Sequence, residues 1–270
     1  MRGRCASTSL VQAAASAWAL VFCAAAGLVS ATPLAAQETE GPKYGWREVW
    51  TGGDAMRDVW LLYTGITLAP WSAHVYDPGW RLRVQSGYGQ YDYTLQENGA
   101  ASVYRGSINY IDALAGYHWR TGALTAKIFA GVSFIDHAVR PGASRGRVVG
   151  LEWGPKAAAE LWLDIAPGQW TSLNVNFTTA HNTASARWRY GIALMEGFSL
   201  GPELRLDTNA GLFEGYGDLF DEYEGRAGLF AVYRWDTYEV TVAGGIAAYI
   251  KDTSGEEITP YATVNFLTQF

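Results

Sequence analysis

The stretch GLEWGPKAAAELWLDI, residues 150–165, decides the fold. Leu151, Trp153, Pro155, Ala157, Ala159, Leu161, Leu163 and Ile165 occupy the odd positions, and Glu152, Lys156, Glu160 and Asp164 occupy even ones. A period of two is that of an extended strand with one apolar and one polar face. Sixteen residues is far longer than the roughly 5–6 of an ordinary globular strand, and no residue in it has to end the strand early. A strand that crosses a bilayer needs about 9–11 residues, with overhang beyond. Both signs of charge lie on the same face, which suits a strand with lipid on one side and a polar lumen on the other.

The pattern repeats in both directions. In 122–136, Leu124, Ala126, Ile128, Ala130, Val132 and Phe134 oppose Thr125, Lys127, Phe129, Gly131 and Ser133. In 184–195, Trp188, Tyr190, Ile192 and Leu194 oppose Ser185, Arg187 and Arg189 on the alternation. In 198–212, Leu200, Leu204 and Leu206 oppose Glu203, Arg205 and Asp207. Strands are expected near 46–54, 58–69, 79–93, 105–119, 122–136, 150–165, 169–180, 184–195, 198–212, 222–235, 237–250 and 259–270. The expectation is a single all-β, antiparallel, up-and-down transmembrane barrel of about twelve strands over 46–270, ten if the first pair is absent; single-chain bacterial barrels have even numbers. Composition agrees, since 49% hydrophobic, 14% aromatic and 31 Gly favour strands and turns, while 17% charge is too little for disorder.

Short links at 120–122, 166–169, 195–198 and 235–238 alternate with longer polar ones near 94–104, 137–149, 213–221 and 251–258. Bacterial barrels have short periplasmic turns and long outer loops, so both termini are expected in the periplasm. The link 70–78, PWSAHVYDP, is long on the short side. Trp80, Trp119, Trp170, Trp235 and Tyr238 are expected to ring the periplasmic boundary, and Trp60, Trp153, Trp188 and Tyr223 the outer one.

At the start, the basic Met1–Arg4 head, an Ala-rich apolar run and small-residue cleavage positions read as a secretory signal peptide over 1–36, with a polar periplasmic leader at 37–45. Cleavage removes Arg2 and Arg4 and no acid, taking the net charge from −6 to −8. It also removes Cys5 and Cys23, the two cysteines, so the exported chain has no thiol chemistry. Its acidity argues against nucleic acid as a partner. The expected surroundings are outer-membrane lipid in a Gram-negative cell.

Six blocks of the chain resemble the cellulose biosynthesis protein BcsS family: EVWTGGDAMRDVWLLYTGITLAPW (48–71), GWRLRVQSGYGQYDY (79–93), DALAGYHWRTGALTAKIFAGVSFIDH (112–137), TASARWRYG (183–191), SLGPELRLDTN (199–209) and EGRAGLFAVYRW (224–235). The resemblance rests on the order of the blocks. It implies an outer-membrane barrel associated with cellulose synthesis, with cellulose or cellulose-export components as partners, and it carries over no catalytic residue. The expected role is secretion, scaffolding or surface retention of the exopolysaccharide. The alternatives are a small general pore and an outer-rim hydrolase. Oligomeric state is left open.

No catalytic, cofactor or metal site is assigned. Asp136 and His137 are strand neighbours and point to opposite faces; His181 and Ser185 lack an evident third member of a triad. The acidic groups Asp218, Asp221, Glu222 and Glu224, and Asp252, Glu256 and Glu257, match no calcium loop and read as solvated surface. The lumen is the more informative place. Gly65, Gly87, Gly89, Gly116, Gly131, Gly191 and Gly228 are expected to face inward. Candidate glucan contacts are Tyr63, Tyr91, Tyr93, Phe129, Trp162, Phe230 and Tyr249 among aromatics, and Arg81, Arg83, Glu160, Arg187, Arg189, Glu203 and Arg205 among charged residues. The same groups would pack against one another in a plugged lumen. The terminal YATVNFLTQF (261–270) alternates to its last residue; Phe266 and Phe270 on its apolar side resemble a barrel assembly signal.

Overall fold

A computed structural model describes residues 45–97, 100–140, 149–208, 222–251 and 257–270. The signal peptide 1–36 and the leader up to residue 44 lie outside the described residues, as do Asp218, Asp221, Asp252 and Glu256. So do the side chains of Tyr93, Glu222, Tyr223, Tyr249 and Glu257.

Twelve strands form one closed antiparallel barrel in which each pairs with its neighbours in sequence and the last returns to the first. They are β1 (Arg47–Met56), β2 (Val59–Leu68), β3 (Gly79–Glu97), β4 (Ala100–Thr121), β5 (Leu124–Arg140), β6 (Gly150–Ala166), β7 (Gln169–Thr178), β8 (Thr183–Met195), β9 (Phe198–Thr208), β10 (Glu222–Trp235), β11 (Tyr238–Lys251) and β12 (Glu257–Gln269). Closure leaves no strand edge with unpaired backbone groups, which is what hydrocarbon demands. The seam runs from Glu48 opposite Gln269 to Met56 opposite Tyr261. Arg47 and Phe270 exchange both backbone hydrogen bonds, at 3.1 and 3.0 Å.

The burial pattern is inverted relative to a water-soluble protein. Leu151, Trp153, Leu194, Leu229, Ile246 and Ile258 are exposed on the outside, while Glu48, Asp54, Arg81, Asp112, Glu203 and Arg226 are buried inside. Putting charge at the centre and leucine on the surface is stable only where the surroundings are apolar and the interior is self-paired or wet.

At the termini end, four hairpins close through two residues each: 122–123, 167–168, 196–197 and 236–237. Gly122, Gly168, Gly197 and Asp236 have positive φ there, as tight hairpin turns of this hand require. The far end holds the links 141–149, 179–182, 209–221 and 252–256 and a two-residue turn at 57–58, while the termini end has one long link, 69–78. One expectation is corrected. The segment 94–104 is not a polar loop, because β3 and β4 continue to Glu97 and Ala100 and pair Thr94 with Val103 and Glu97 with Ala100. At 19 and 22 residues, these two strands overshoot the roughly 9–11 needed to cross, so the hairpin projects past the lipid band at the loop end. Alternation fades there because no lipid enforces it.

The exterior aromatics gather at the strand ends as expected, with one exception. Trp80, Trp119 and Trp235 are exposed, and Tyr117 packs against Trp80 and Trp119 with centroids 5.5 and 4.7 Å away. Trp60 with Tyr88 (5.4 Å) and Phe134 with Trp153 (6.4 Å) lie toward the other end. Trp170 is not part of a belt. It lies directly opposite inward-facing Gly191 and packs in the lumen with Phe230, Val232 and Ala243.

Candidate functional site

The bore holds a cavity of about 780 Å³ to which all twelve strands contribute, from Glu48 on β1 to Asn265 on β12. That volume is within the roughly 300–1,000 Å³ of small-molecule sites. The inner face of the barrel repeats one cross-strand pair, an inward glycine directly opposite an inward aromatic residue. Trp50 faces Gly65 and Tyr63 faces Gly52. Tyr110 faces Gly87, Tyr91 faces Gly106, Phe129 faces Gly116 and Trp170 faces Gly191. At each of these glycines an added Cβ would come within 3 Å of the partner's ring, so the ring packs against the glycine backbone. This seats aromatic surface along the wall instead of across the bore, an arrangement also used to cover glycine in designed sheets. On β6 and β7, Trp162 and Trp170 stack with centroids 4.0 Å apart and planes 18° apart. Phe230 adjoins Trp170 at 5.4 Å, and the Arg234 guanidinium sits 5.1 Å over Trp162.

Between the aromatics run ion pairs, several of them chords across the bore. Arg83 on β3 bonds Glu160 on β6, three places round the ring, and Lys127 approaches the same carboxylate at 3.5 Å. Arg205 on β9 bonds Asp54 on β1 at 2.6 Å, four places round, and also Asp207 at 2.7 Å. Arg189 bonds Glu203 at 2.5 Å, Lys156 bonds Asp112 at 2.6 Å, and Arg226 bonds Glu224. Pairing of this kind is what lets charge remain in a low-dielectric interior, since breaking a buried pair leaves an uncompensated ion. Tyr63 bonds Asn265, and Tyr261 donates to Glu203 at 3.2 Å.

One mouth is crossed by chain. The link 69–78 at the termini end, which the sequence marks only as too long, folds against the barrel, with Ala69 and Val75 fully or nearly buried. Val75 donates its N–H to the Gly45 carbonyl at 3.0 Å. Arg81, 1% exposed, donates to the carbonyls of Val75 (3.0 Å) and Asp77 and to that of Trp80 (2.8 Å), and meets His118 Nδ1 at 3.0 Å. Tyr76 lines the cavity, and its hydroxyl accepts from Gln269 Nε2 at 2.9 Å.

The sequence-stated candidates separate into three groups. Tyr63, Trp162, Phe230, Arg83, Glu160, Arg187, Arg189 and Arg205 line the cavity together, while Phe129 is buried behind it, with the Arg83 guanidinium 3.9 Å over its ring. Arg81 instead holds the link, and Glu203 is 2% exposed behind Arg189. Tyr91 lies near the loop end, 3.1 Å from His137 Nδ1. Trp50, Tyr110 and Trp170 are cavity residues that the sequence reading missed; each falls on the inward parity of its strand, and that was the available signal. At the loop end, His181 Nδ1 meets Glu152 at 3.0 Å, its Nε2 meets the Gly150 carbonyl at 3.2 Å, and its ring adjoins His137 at 5.0 Å. Ser185 accepts from Asn176 at 2.5 Å. Both ring nitrogens of His181 are therefore engaged away from Ser185. On β12, Phe266 packs on Tyr238 at 6.0 Å, and Phe270, just after the strand, is exposed.

Similar solved structures include a porin and the transport domains of autotransporters. The transport unit of the autotransporter AIDA-I from Escherichia coli is 12% identical with a TM-score of 0.49, covering 88% of this chain and 94% of that one. The translocator domain of the autotransporter NalP from Neisseria meningitidis is 10% identical with a TM-score of 0.44, covering 98% and 100%. The KdgM porin is 9% identical with a TM-score of 0.44, covering 83% and 99%. No curated protein matches the chain in sequence. The pattern of one family does match, over residues 49–270 and so over every strand from β2 to β12: the chain belongs to the family of cellulose biosynthesis protein BcsS.

Proposed function

We propose that this chain is an outer-membrane barrel whose bore grips a segment of glucan, serving cellulose production by retaining or scaffolding the polymer and not by cutting bonds. The outward apolar band needs lipid around it, and short turns at the termini end fit a periplasmic orientation of both termini. Cellulose enters through the family. The wall of aromatic rings seated on glycines carries the rest of the reading. Sugar rings have apolar faces that stack on flat aromatic surface, and their hydroxyls take hydrogen bonds from charged and amide groups at the edges. The bore offers both: the Trp162–Trp170 stack, and Asn174, Gln85 and Arg83 between the rings. The chords across the bore and the link across one mouth favour gripping over free passage.

The test is genetic and biochemical together. Deleting the gene should change the yield, texture or attachment of extracellular cellulose. The wild-type barrel should restore it, and a barrel carrying Trp162→Ala and Trp170→Ala should not. Cellulose unchanged in all three respects by the deletion overturns the proposal. A general pore would instead conduct ions with no response to cellodextrins.

A further inference from the structure

The charges of the bore are almost all matched, and the mismatch has a place. Among the described residues, every cation lining the cavity except two meets a carboxylate: Arg83, Lys127, Lys156, Arg189, Arg205 and Arg234 all do. Arg120 is exposed at the rim of the termini end, where water serves it. Arg187 is half-buried within the bore and has no ion pair and no hydrogen bond among the described residues. Its cross-strand neighbour on one side is Arg205, a like charge already bonded to Asp54 and Asp207. On the other side it is Asn174, whose amide also has no partner among the described residues and lines the same cavity. Across the bore, on β2, six places away in the ring of twelve, stands Tyr63, which lines the same cavity. Asn265, which accepts from Tyr63, keeps a buried Nδ2 without an acceptor.

A guanidinium beside like charge, with no carboxylate of its own among the described residues, is an unfilled half of a pair. Its planar fork fits a carboxylate or phosphate-type group with two parallel N–H···O bonds. We infer that Arg187 and Asn174 form an oxyanion subsite in the bore, which binds an acidic substituent on the occupying polysaccharide. The inference rests on the glucan reading for its carrier and on the charge mismatch for its chemistry. A neutral glucan would leave Arg187 hydrated; a chain bearing an occasional carboxylate would be held at that point and set in register.

Isothermal titration of the detergent-solubilised barrel tests it with three probes: cellotetraose, a cellotetraose carboxylated at C6, and inorganic phosphate. The carboxylated sugar should bind about tenfold more tightly than the neutral one, as expected for one charge-assisted bidentate contact. The gap should shrink at high salt. Arg187→Gln should erase the gap between the two sugars, and Arg187→Lys, which keeps the charge without the fork, should restore part of it. Equal binding of the two sugars by the wild-type barrel overturns the inference, a result that needs no variant to fold. If neither sugar binds but phosphate does, and Arg187→Gln abolishes it, the subsite stands and the glucan reading falls. If both sugars bind alike, the glucan reading stands and the subsite falls.

Discussion

Gly191 and Trp170 show what a single residue decides in this wall. The two are directly opposed on β7 and β8, and a Cβ at 191 would meet the indole, which is itself held against Trp162 and Phe230. Gly191→Val should therefore displace a ring that has nowhere to go, at a cost of about 1–3 kcal/mol, as for other overpacked sites. Gly225→Ala is the matched control, because a Cβ there meets nothing within 4 Å. Thermal unfolding should separate the two variants, and equal midpoints would refute the idea that the glycine exists to seat the ring. Trp162→Ala tests the ring itself: losing one stacking partner is worth about 0.5–1.5 kcal/mol, so cellotetraose should bind a few-fold more weakly in titration. At this scale the sequence was only half legible. Parity placed Gly116, Gly131 and Phe129 inward, but which glycine sits under which ring depends on register, and register is a property of two strands. Trp170 was misplaced in a lipid belt because an aromatic near a strand end suggests a headgroup anchor, while its parity, opposite Gly191, is inward.

The strands were legible as elements because lipid on one face and a polar bore on the other force a period of two over the full crossing. Their loop-end limits were not, since TLQENGAASV, 94–103, carries Gln-Glu-Asn-Gly at its centre and looks like a loop although it pairs as a hairpin. The terminal strand is the case where an element's last residue carries a prediction. Phe270 closes the ring by exchanging backbone bonds with Arg47, and Gln269 beside it bonds both Glu48 (3.1 Å) and Tyr76. Removing Phe270 deletes two ladder bonds at the seam and the outermost apolar contact, so the fraction assembled in membranes should fall several-fold. The heat-modifiable band on a gel reads this, and a truncated chain that assembles at the wild-type level would show that closure does not depend on that residue. The link 69–78 was legible only as an anomaly of length. It has no periodicity because its conformation is set by Arg81, a strand residue that binds three of its neighbouring carbonyls. Arg81→Met should take a donor from each of those carbonyls and loosen the link, which limited proteolysis would detect as faster cleavage within 69–78.

For the molecule as a whole, the decisive question is whether the bore conducts. Two features at different depths work against free flow. Within the bore, Arg205 reaches from β9 to Asp54 on β1 and Arg83 from β3 to Glu160 on β6, so the interior is spanned by paired side chains. At the termini end, the link brings buried Ala69 and Val75 to the mouth, with Tyr76 turned into the cavity. Chords made of side chains can part, whereas backbone tied to Gly45 and Arg81 is the firmer obstacle. The wild-type barrel in a planar bilayer should therefore show low conductance. Replacing 70–78 with a short Gly-Ser turn should raise it many-fold, and Asp54→Asn, which removes a chord but not the link, should raise it much less. Should Asp54→Asn open the channel as widely as loss of the link, the constriction lies at the ion pairs and the mouth is only its vestibule. Should neither change the current, the barrier lies at the loop end, and a polymer held at the Trp162–Trp170 stack would have to enter from the termini side.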